Sequence, residues 1–218
     1  MAIITVANPK GGVGKTSTAF NIACKLQQLG LPLIVIDLDN LESISELNAT
    51  RNANKYPAFN IYIPKNYQEL YSFCIENSKT ANILIDVGGY DASMSRVSVA
   101  LADLVITPTM AGVTDQSGIK EFAKILRSIN SELQFEKKAT VFFNNIRIKK
   151  LDKMIEVIQD NQDVFTLADT VIKSRDAYNL SMVLGLSVLE IDTKKIQMAK
   201  GEMVRAIDTI LLGCEFIQ

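Results

Sequence analysis

The chain has 218 residues, 48% of them apolar, with 23 basic and 24 acidic side chains, a formal charge of −1 and no histidine. A chain of this length suits one α/β domain and buries about 70% of the surface its unfolded form exposes, so it needs no disulfide or metal staple. The missing histidine removes Ser-His-Asp and Cys-His nucleophile systems and most zinc sites; the near-neutral charge leaves nucleic-acid binding to a local patch or a dimer; and Cys24, Cys74 and Cys214, scattered and without a C-x-x-C, read as a reduced cytosolic set with no iron–sulfur cluster.

Residues 3–7 open the chain as an apolar strand with no basic leader before it. Asn8-Pro9-Lys10-Gly11-Gly12-Val13-Gly14-Lys15-Thr16-Ser17 follows directly. The three glycines permit backbone angles that let successive N–H groups converge on an anion. Lys15 can reach β- and γ-phosphates, and the Thr16 hydroxyl is placed for Mg²⁺. The helix predicted over 15–29 adds its dipole to the site. The spacing fits G-x-x-x-x-G-K-[ST] except at its first position, which is Pro9, and an extra lysine, Lys10, stands just inside the loop. A ligand-free Gly-rich turn is the plain alternative. The strand before and the amphipathic helix behind argue for the phosphate cradle.

Residues 33–36 read as a fully buried strand ending in Asp37-Leu38-Asp39. One of these carboxylates, Asp39 first, can orient an attacking water or hold a metal-bound water; otherwise both are polar ends of a strand. Residues 40–55 are polar and irregular, with at most a short helix. Residues 59–63 alternate as an edge strand before Pro64, and 67–76 read as a helix. A buried strand over 82–87 carries Asp86, placed to hold Mg²⁺ through its water shell, and Gly88-Gly89 let backbone approach and follow a γ-phosphate. Its alternative is an acid that merely ends a strand.

A helix over 93–102, a strand over 104–108 and a helix over 115–129 come next. A strand over 140–143 ends in Asn144-Asn145. Asn144 can hydrogen-bond an adenine edge or simply form a turn. The chain closes with a helix over 151–159, a short strand or turn over 165–172 and a helix over 194–212 with one apolar stripe. Basic residues thicken in this last third: Lys149, Lys150, Lys153, Lys173, Arg175, Lys194, Lys195, Lys200 and Arg205. They can neutralise phosphates without reading sequence, or be ordinary solvated helix faces.

Strands alternating with helices predict an α/β fold: a three-layer, doubly wound, mostly parallel sheet of the P-loop NTPase type, with residues 1–218 as a single P-loop ATPase domain. Ligands of such sheets sit at the carboxyl ends of the strands, where every motif above falls. No apolar run approaches the roughly 18 residues of a membrane span, so the expectation is a soluble, cytoplasmic protein.

Together these motifs resemble the ParA family of DNA-partitioning ATPases, in its small form without an N-terminal DNA-reading domain. Lys10-Gly-Gly-Val-Gly-Lys-Thr is similar to the deviant Walker A box of the ParA/MinD group, whose signature is the extra early lysine. Ile36-Asp37-Leu38-Asp39 resembles the first switch and Ile83-Leu84-Ile85-Asp86 the Walker B strand. Residues 101–108 resemble the family strand that ends in proline, and 172–188 its C-terminal segment, where an arginine helps bind DNA. One departure is plain: the family continues the first switch as Asp-Pro-Gln, whereas Asn40-Leu41 follow Asp39 here, which bears on the loop's shape and the hydrolysis rate. The resemblance implies ATP and Mg²⁺ as cofactors and an ATP-dependent sandwich homodimer. Lys10, Lys15 and Asp39 would act in catalysis; Gly11 to Ser17 with Lys10 and Asn144 would hold the nucleotide; Thr16, Asp39 and Asp86 would hold the metal. Lys173, Arg175 and Lys200 would meet non-specific DNA, and a ParB-like centromere-binding protein would stimulate hydrolysis at the nucleoid. The rival readings are a MinD-like membrane-cycling ATPase, against which the end 211–218, with no lysine or arginine, weighs, and a P-loop metabolic ligase of the dethiobiotin-synthetase type. No stable membrane association is expected.

Overall fold

A computed structural model describes residues 1–88, 92–147 and 151–211. Gly89, Lys149, Lys150, Cys214 and the rest of the segment 212–218 lie outside the described residues. The elements alternate as the sequence predicts: β1 (Ile3–Val6), α1 (Lys15–Gln28), β2 (Leu33–Asp37), α2 (Ser43–Ala53), β3 (Asn60–Tyr62), α3 (Tyr67–Asn77), β4 (Asn82–Asp86) and α4 (Ala92–Leu101). The second half continues with β5 (Leu104–Thr109), α5 (Val113–Leu133), β6 (Ala139–Ile146), α6 (Asp152–Gln159), β7 (Phe165–Lys173), α7 (Asp176–Val183) and α8 (Gln197–Leu211).

The strands form one seven-stranded sheet in the order β3-β2-β4-β1-β5-β6-β7, and all six pairings are parallel. The central strands are apolar at almost every position because both faces are covered. Strand alternation divides them: Ile83 and Ile85 join one core with α3, α4, α5 and α6, and Leu84 joins the other with α1, α2 and α8. Each fully buried Ile or Leu in these layers contributes roughly 1.5–3 kcal/mol of transfer free energy. This is the three-layer α/β P-loop NTPase fold. Among the described residues no helix is long and apolar enough to cross a membrane.

Three elements differ from the sequence expectation. Residues 43–53 form an 11-residue helix, although only Ile44 and Arg51 are buried on it. Its start is fixed from outside: Asp37 Oδ2 accepts hydrogen bonds from the Ser45 N–H at 3.1 Å and the Ser45 hydroxyl at 2.6 Å. β7 is a full nine-residue strand rather than a short one, half exposed at the sheet edge and paired to β6 through two register shifts. α7 falls where the sequence showed only a C-terminal segment.

Candidate functional site

The carboxyl ends of β1, β2 and β4 lie level, with Val6 and Asp37 both paired to Asp86. The loop between β1 and α1 rises from this edge. Asn8 anchors its entry: the buried side chain donates from Nδ2 to the Pro108 carbonyl at 3.0 Å and accepts the Lys10 N–H at 2.9 Å. Gly12 and Gly14 have φ of 76° and 92°, the left-handed region that side chains avoid. Gly14 has a second reason to be glycine, since a Cβ there would collide with the Asn144 side-chain amide. Asn144 Nδ2 donates to the Val13 carbonyl at 2.8 Å, so this side chain clamps the loop from β6. Among the described residues, no atom beyond the chain neighbours lies within 4 Å of a Cβ placed on Gly11 or Gly12, so the cradle opens outward there.

Lys15 begins α1 with its side chain buried, and its ammonium donates to the Lys10 carbonyl at 3.1 Å. Burial pushes its pKa down; the negative charges of Asp86 and Asp39 oppose this without cancelling it. Asp86 is fully buried, and among the described residues neither carboxylate oxygen has a hydrogen-bond partner of good geometry. Burial raises its pKa to about 7, helped by the nearby charges of Asp37 and Asp39, while the Thr16 hydroxyl and the Lys15 ammonium pull the other way. A buried, orphaned carboxylate beside a hydroxyl and a phosphate cradle fits a hard cation. Among the described residues no three His, Cys, Asp or Glu side chains group to hold a metal alone. Mg²⁺ suits such a donor set, and Thr16 and Asp86 are the residues that could hold it.

The two switch acids differ in kind. Asp37 is buried and fully engaged, holding the Asp39 N–H at 3.0 Å as well as Ser45. Asp39 is half-buried and accepts from the Leu41 N–H at 3.3 Å and the Ser43 hydroxyl at 3.0 Å, contacts that a water or metal-bound water can replace. Gly88, past the end of β4, lies against this loop: a Cβ on it would sit 2.6 Å from both the Asp39 Cα and the Leu38 carbonyl oxygen. At Gly88 the loop after Asp86 therefore touches the loop after Asp37 backbone to backbone.

Lys10 turns outward from Lys15. Its ammonium forms an ion pair with Asp115 and a 2.8 Å hydrogen bond to Thr114 Oγ1, in the first turn of α5. Beyond Gly14 the loop borders a cleft of about 220 Å³ lined by Ser17, Asn144, Asn145, Arg147, Asp176 and Asn179 among others. Arg175 edges this cleft and also a groove of about 290 Å³ on the outer face with Lys173, Glu202 and Arg205. Its guanidinium is bidentate on Glu202 at 2.6 and 2.9 Å. Lys200 lies on α8, half-buried, and does not line the groove. Thus the structure brings Lys15, Thr16, Asp39 and Asp86 together, sets Asn144 under the loop, leaves Lys173 and Lys200 on a separate flank, and puts Arg175 between that flank and the cleft beside the loop. Sequence reasoning missed Asn8, Gly88 as a contact between loops, and Asp115. Gly112 followed three residues later by Asp115 reads as a helix start, but nothing local names Lys10 as its partner.

Residues 4–188 match the model of the CobQ/CobB/MinD/ParA nucleotide binding domain. A protein ParA of Rhizobium radiobacter is 30% identical over 113 residues, 50% of this chain and 48% of that protein. The chain spans less than half the length of the curated relatives it matches. Among solved structures, the ATP complex of a Cyanothece McdA variant superposes with a TM-score of 0.76 at 14% identity, over 97% of this chain and 96% of that one. The MinD cell division protein of Aquifex aeolicus gives 0.66 at 20% identity over 98% of both chains. At these identities the structures speak for the fold, and the matched model speaks for descent: the chain belongs to the CobQ/CobB/MinD/ParA family of nucleotide-binding domains.

Proposed function

We propose that this chain is a Mg-ATP-dependent partitioning ATPase that dimerises on ATP, binds DNA without regard to sequence, and segregates a plasmid or chromosome with a ParB-like centromere-binding partner. The observation that carries the reading is the division of labour between two lysines on one loop. Lys15 turns inward toward Asp86 and Asp39, and Lys10 turns outward to the first turn of α5, whose first residue, Val113, is 78% exposed. A lysine turned outward from the cradle suits a second copy of the chain, whose phosphates it can meet. The relative named ParA and the ATP held by the McdA variant point the same way.

In this reading Gly11 to Ser17 donate to the phosphates and Lys15 neutralises the β- and γ-oxygens. Mg²⁺, when bound, supplies charge that offsets the developing negative charge on the γ-phosphoryl oxygens. Thr16 and Asp86 hold it, with Asp39 reaching it through water. Asp39 also orients the attacking water, and Asn144 fixes the loop edge beside the cleft that takes the base. Lys10 crosses to the phosphates of the partner copy. Lys173 and Arg175, with Lys200 and Arg205 on α8, face DNA phosphates.

The test is DNA binding measured with ATP, with ADP and with no nucleotide. Binding only in the ATP state is expected, and equal affinity in all three states contradicts the reading. Liposome co-sedimentation with ATP separates it from a membrane cycle, since the protein should stay in the supernatant. Asp39→Ala should bind ATP, hydrolyse it slowly and leave a persistent dimer; unchanged turnover removes Asp39 from the chemistry.

A further inference from the structure

Arg175 stands where two openings meet. It is the residue before α7, it edges the cleft of about 220 Å³ beside the phosphate loop, and it also lines the groove of about 290 Å³ on the outer face. On α8 the same two openings are faced by consecutive residues, Glu202 in the groove and Met203 in the cleft. Glu202 is 7% exposed and is well supplied with donors. The Arg175 guanidinium donates from Nη2 to Oε1 at 2.6 Å and from Nε to Oε2 at 2.9 Å. The Lys173 N–H donates to Oε2 at 3.3 Å, and the Tyr178 hydroxyl lies 3.4 Å from the same oxygen. Tyr178 is tied to α8 a second time, through the Ala199 carbonyl at 3.1 Å. One carboxylate is thus set among three basic residues of the groove, Lys173, Arg175 and Arg205, and holds one of them.

We propose that Glu202 is a positioning residue that keeps Arg175 from DNA phosphates until nucleotide occupies the neighbouring cleft. The proposal rests on the reading of this flank as the DNA surface. A bidentate guanidinium–carboxylate pair has a fixed geometry, so a phosphate takes Arg175 only by displacing Glu202, and the carboxylate repels that same phosphate. While the pair holds, the groove offers Lys173 and Arg205 to DNA against one opposing charge. Two of the five guanidinium N–H groups bond Glu202, and the others are left for an acceptor in the cleft that Arg175 edges. A nucleotide there brings such acceptors and loosens the pair from behind. Arg175 then joins the other two cations, so DNA affinity rises with nucleotide although the groove itself does not touch it.

Glu202→Gln tests this, because the amide keeps an oxygen for the Lys173 N–H and removes the charge that holds Arg175. The measurement is binding of random-sequence duplex DNA at low salt, without nucleotide and with a non-hydrolysable ATP analogue. Without nucleotide the variant should bind about fivefold tighter than wild type, the scale of one partly exposed ion pair, and its salt slope should steepen by about one counterion. With the analogue the gain should shrink toward none. No gain without nucleotide, or an equal gain in both states, overturns the proposal. In an Arg175→Ala background most of the gain should vanish; a gain kept in full means that Glu202 acts by its charge alone and also overturns the proposal. If Glu202→Gln folds poorly, Arg175→Lys keeps the cation and gives up the bidentate pair, and it should likewise tighten nucleotide-free binding, judged by the same outcomes. The two readings fail differently. If wild type binds DNA in neither state, the DNA surface is wrong and the restraint falls with it; if wild type binds with the analogue and Glu202→Gln matches it in both states, only the restraint fails.

Discussion

Lys15 and Asp86 show how single residues are set for a ligand at the expense of the free fold. Both are charged groups in a dry place, and each moves toward neutrality there, Lys15 downward and Asp86 upward to about 7. A raised carboxylate binds a proton in the folded chain that the unfolded chain releases from 3.8 upward. Stability from this group is therefore intact below about pH 4, falls as pH rises to 7 and is flat beyond, a total cost of about 4 kcal/mol. With Mg²⁺ chelated, Asp86→Asn should melt above wild type at pH 8, and the gap should close toward pH 4. A variant less stable than wild type at pH 8 contradicts the assignment. Adding nucleotide and Mg²⁺ should raise the melting temperature of wild type and hardly that of the variant. Lys15→Gln should lose tight ATP binding by calorimetry, and normal affinity in that variant removes the phosphate cradle from the account.

At the scale of elements, the loop that carries Asp39 is positioned from both sides. Behind it, α2 is locked by Arg51, which is 2% exposed, bidentate on Glu190 at 2.6 and 2.7 Å, bonded to Gln27 and Pro57, and stacked near Tyr56 and Phe59. Arg51→Ala strands Glu190 in the interior and should cost about 3–5 kcal/mol in urea unfolding; a loss under 1 kcal/mol would mean the pair is solvated. In front, Gly88 lies against Asp39. Gly88→Ala has to push the switch backbone away, so ATP binding should persist while turnover falls by about tenfold or more; unchanged turnover would show that the two loops move independently. The strands around these loops were legible because an all-apolar run ending in an acid has few other readings. α2 was not, since its start depends on Asp37 bonding Ser45 across the switch and its lock on a glutamate far along the chain. Asn144 was legible as a site residue but not as a clamp, because its partner is a carbonyl of the loop. β7 hid behind Thr166, Asp169 and Thr170, polar residues that a half-exposed edge strand tolerates.

On the scale of the whole molecule, the parallel sheet gathers the phosphate cradle and the switch acids at one edge and leaves the basic groove on a flank. Among the groove's lining residues, Lys173 and Arg205 are the cations exposed to solvent, because Arg175 is tied to Glu202. Lys173→Ala should weaken DNA binding equally across sequences and lower the salt slope by about one counterion. Arg175→Ala also uncovers the Glu202 carboxylate, so it should weaken binding more than Lys173→Ala; wild-type affinity in Arg175→Ala takes this flank out of the DNA surface.

The proposed ATP-dependent pairing of two chains requires Lys10 to act between subunits. Its most direct test is Lys10→Ala, measured by light scattering with a non-hydrolysable ATP analogue beside a binding isotherm for the same nucleotide. The prediction is near-normal ATP binding by a chain that stays monomeric at concentrations where wild type is a dimer. A Lys10→Ala protein that dimerises like wild type would contradict it.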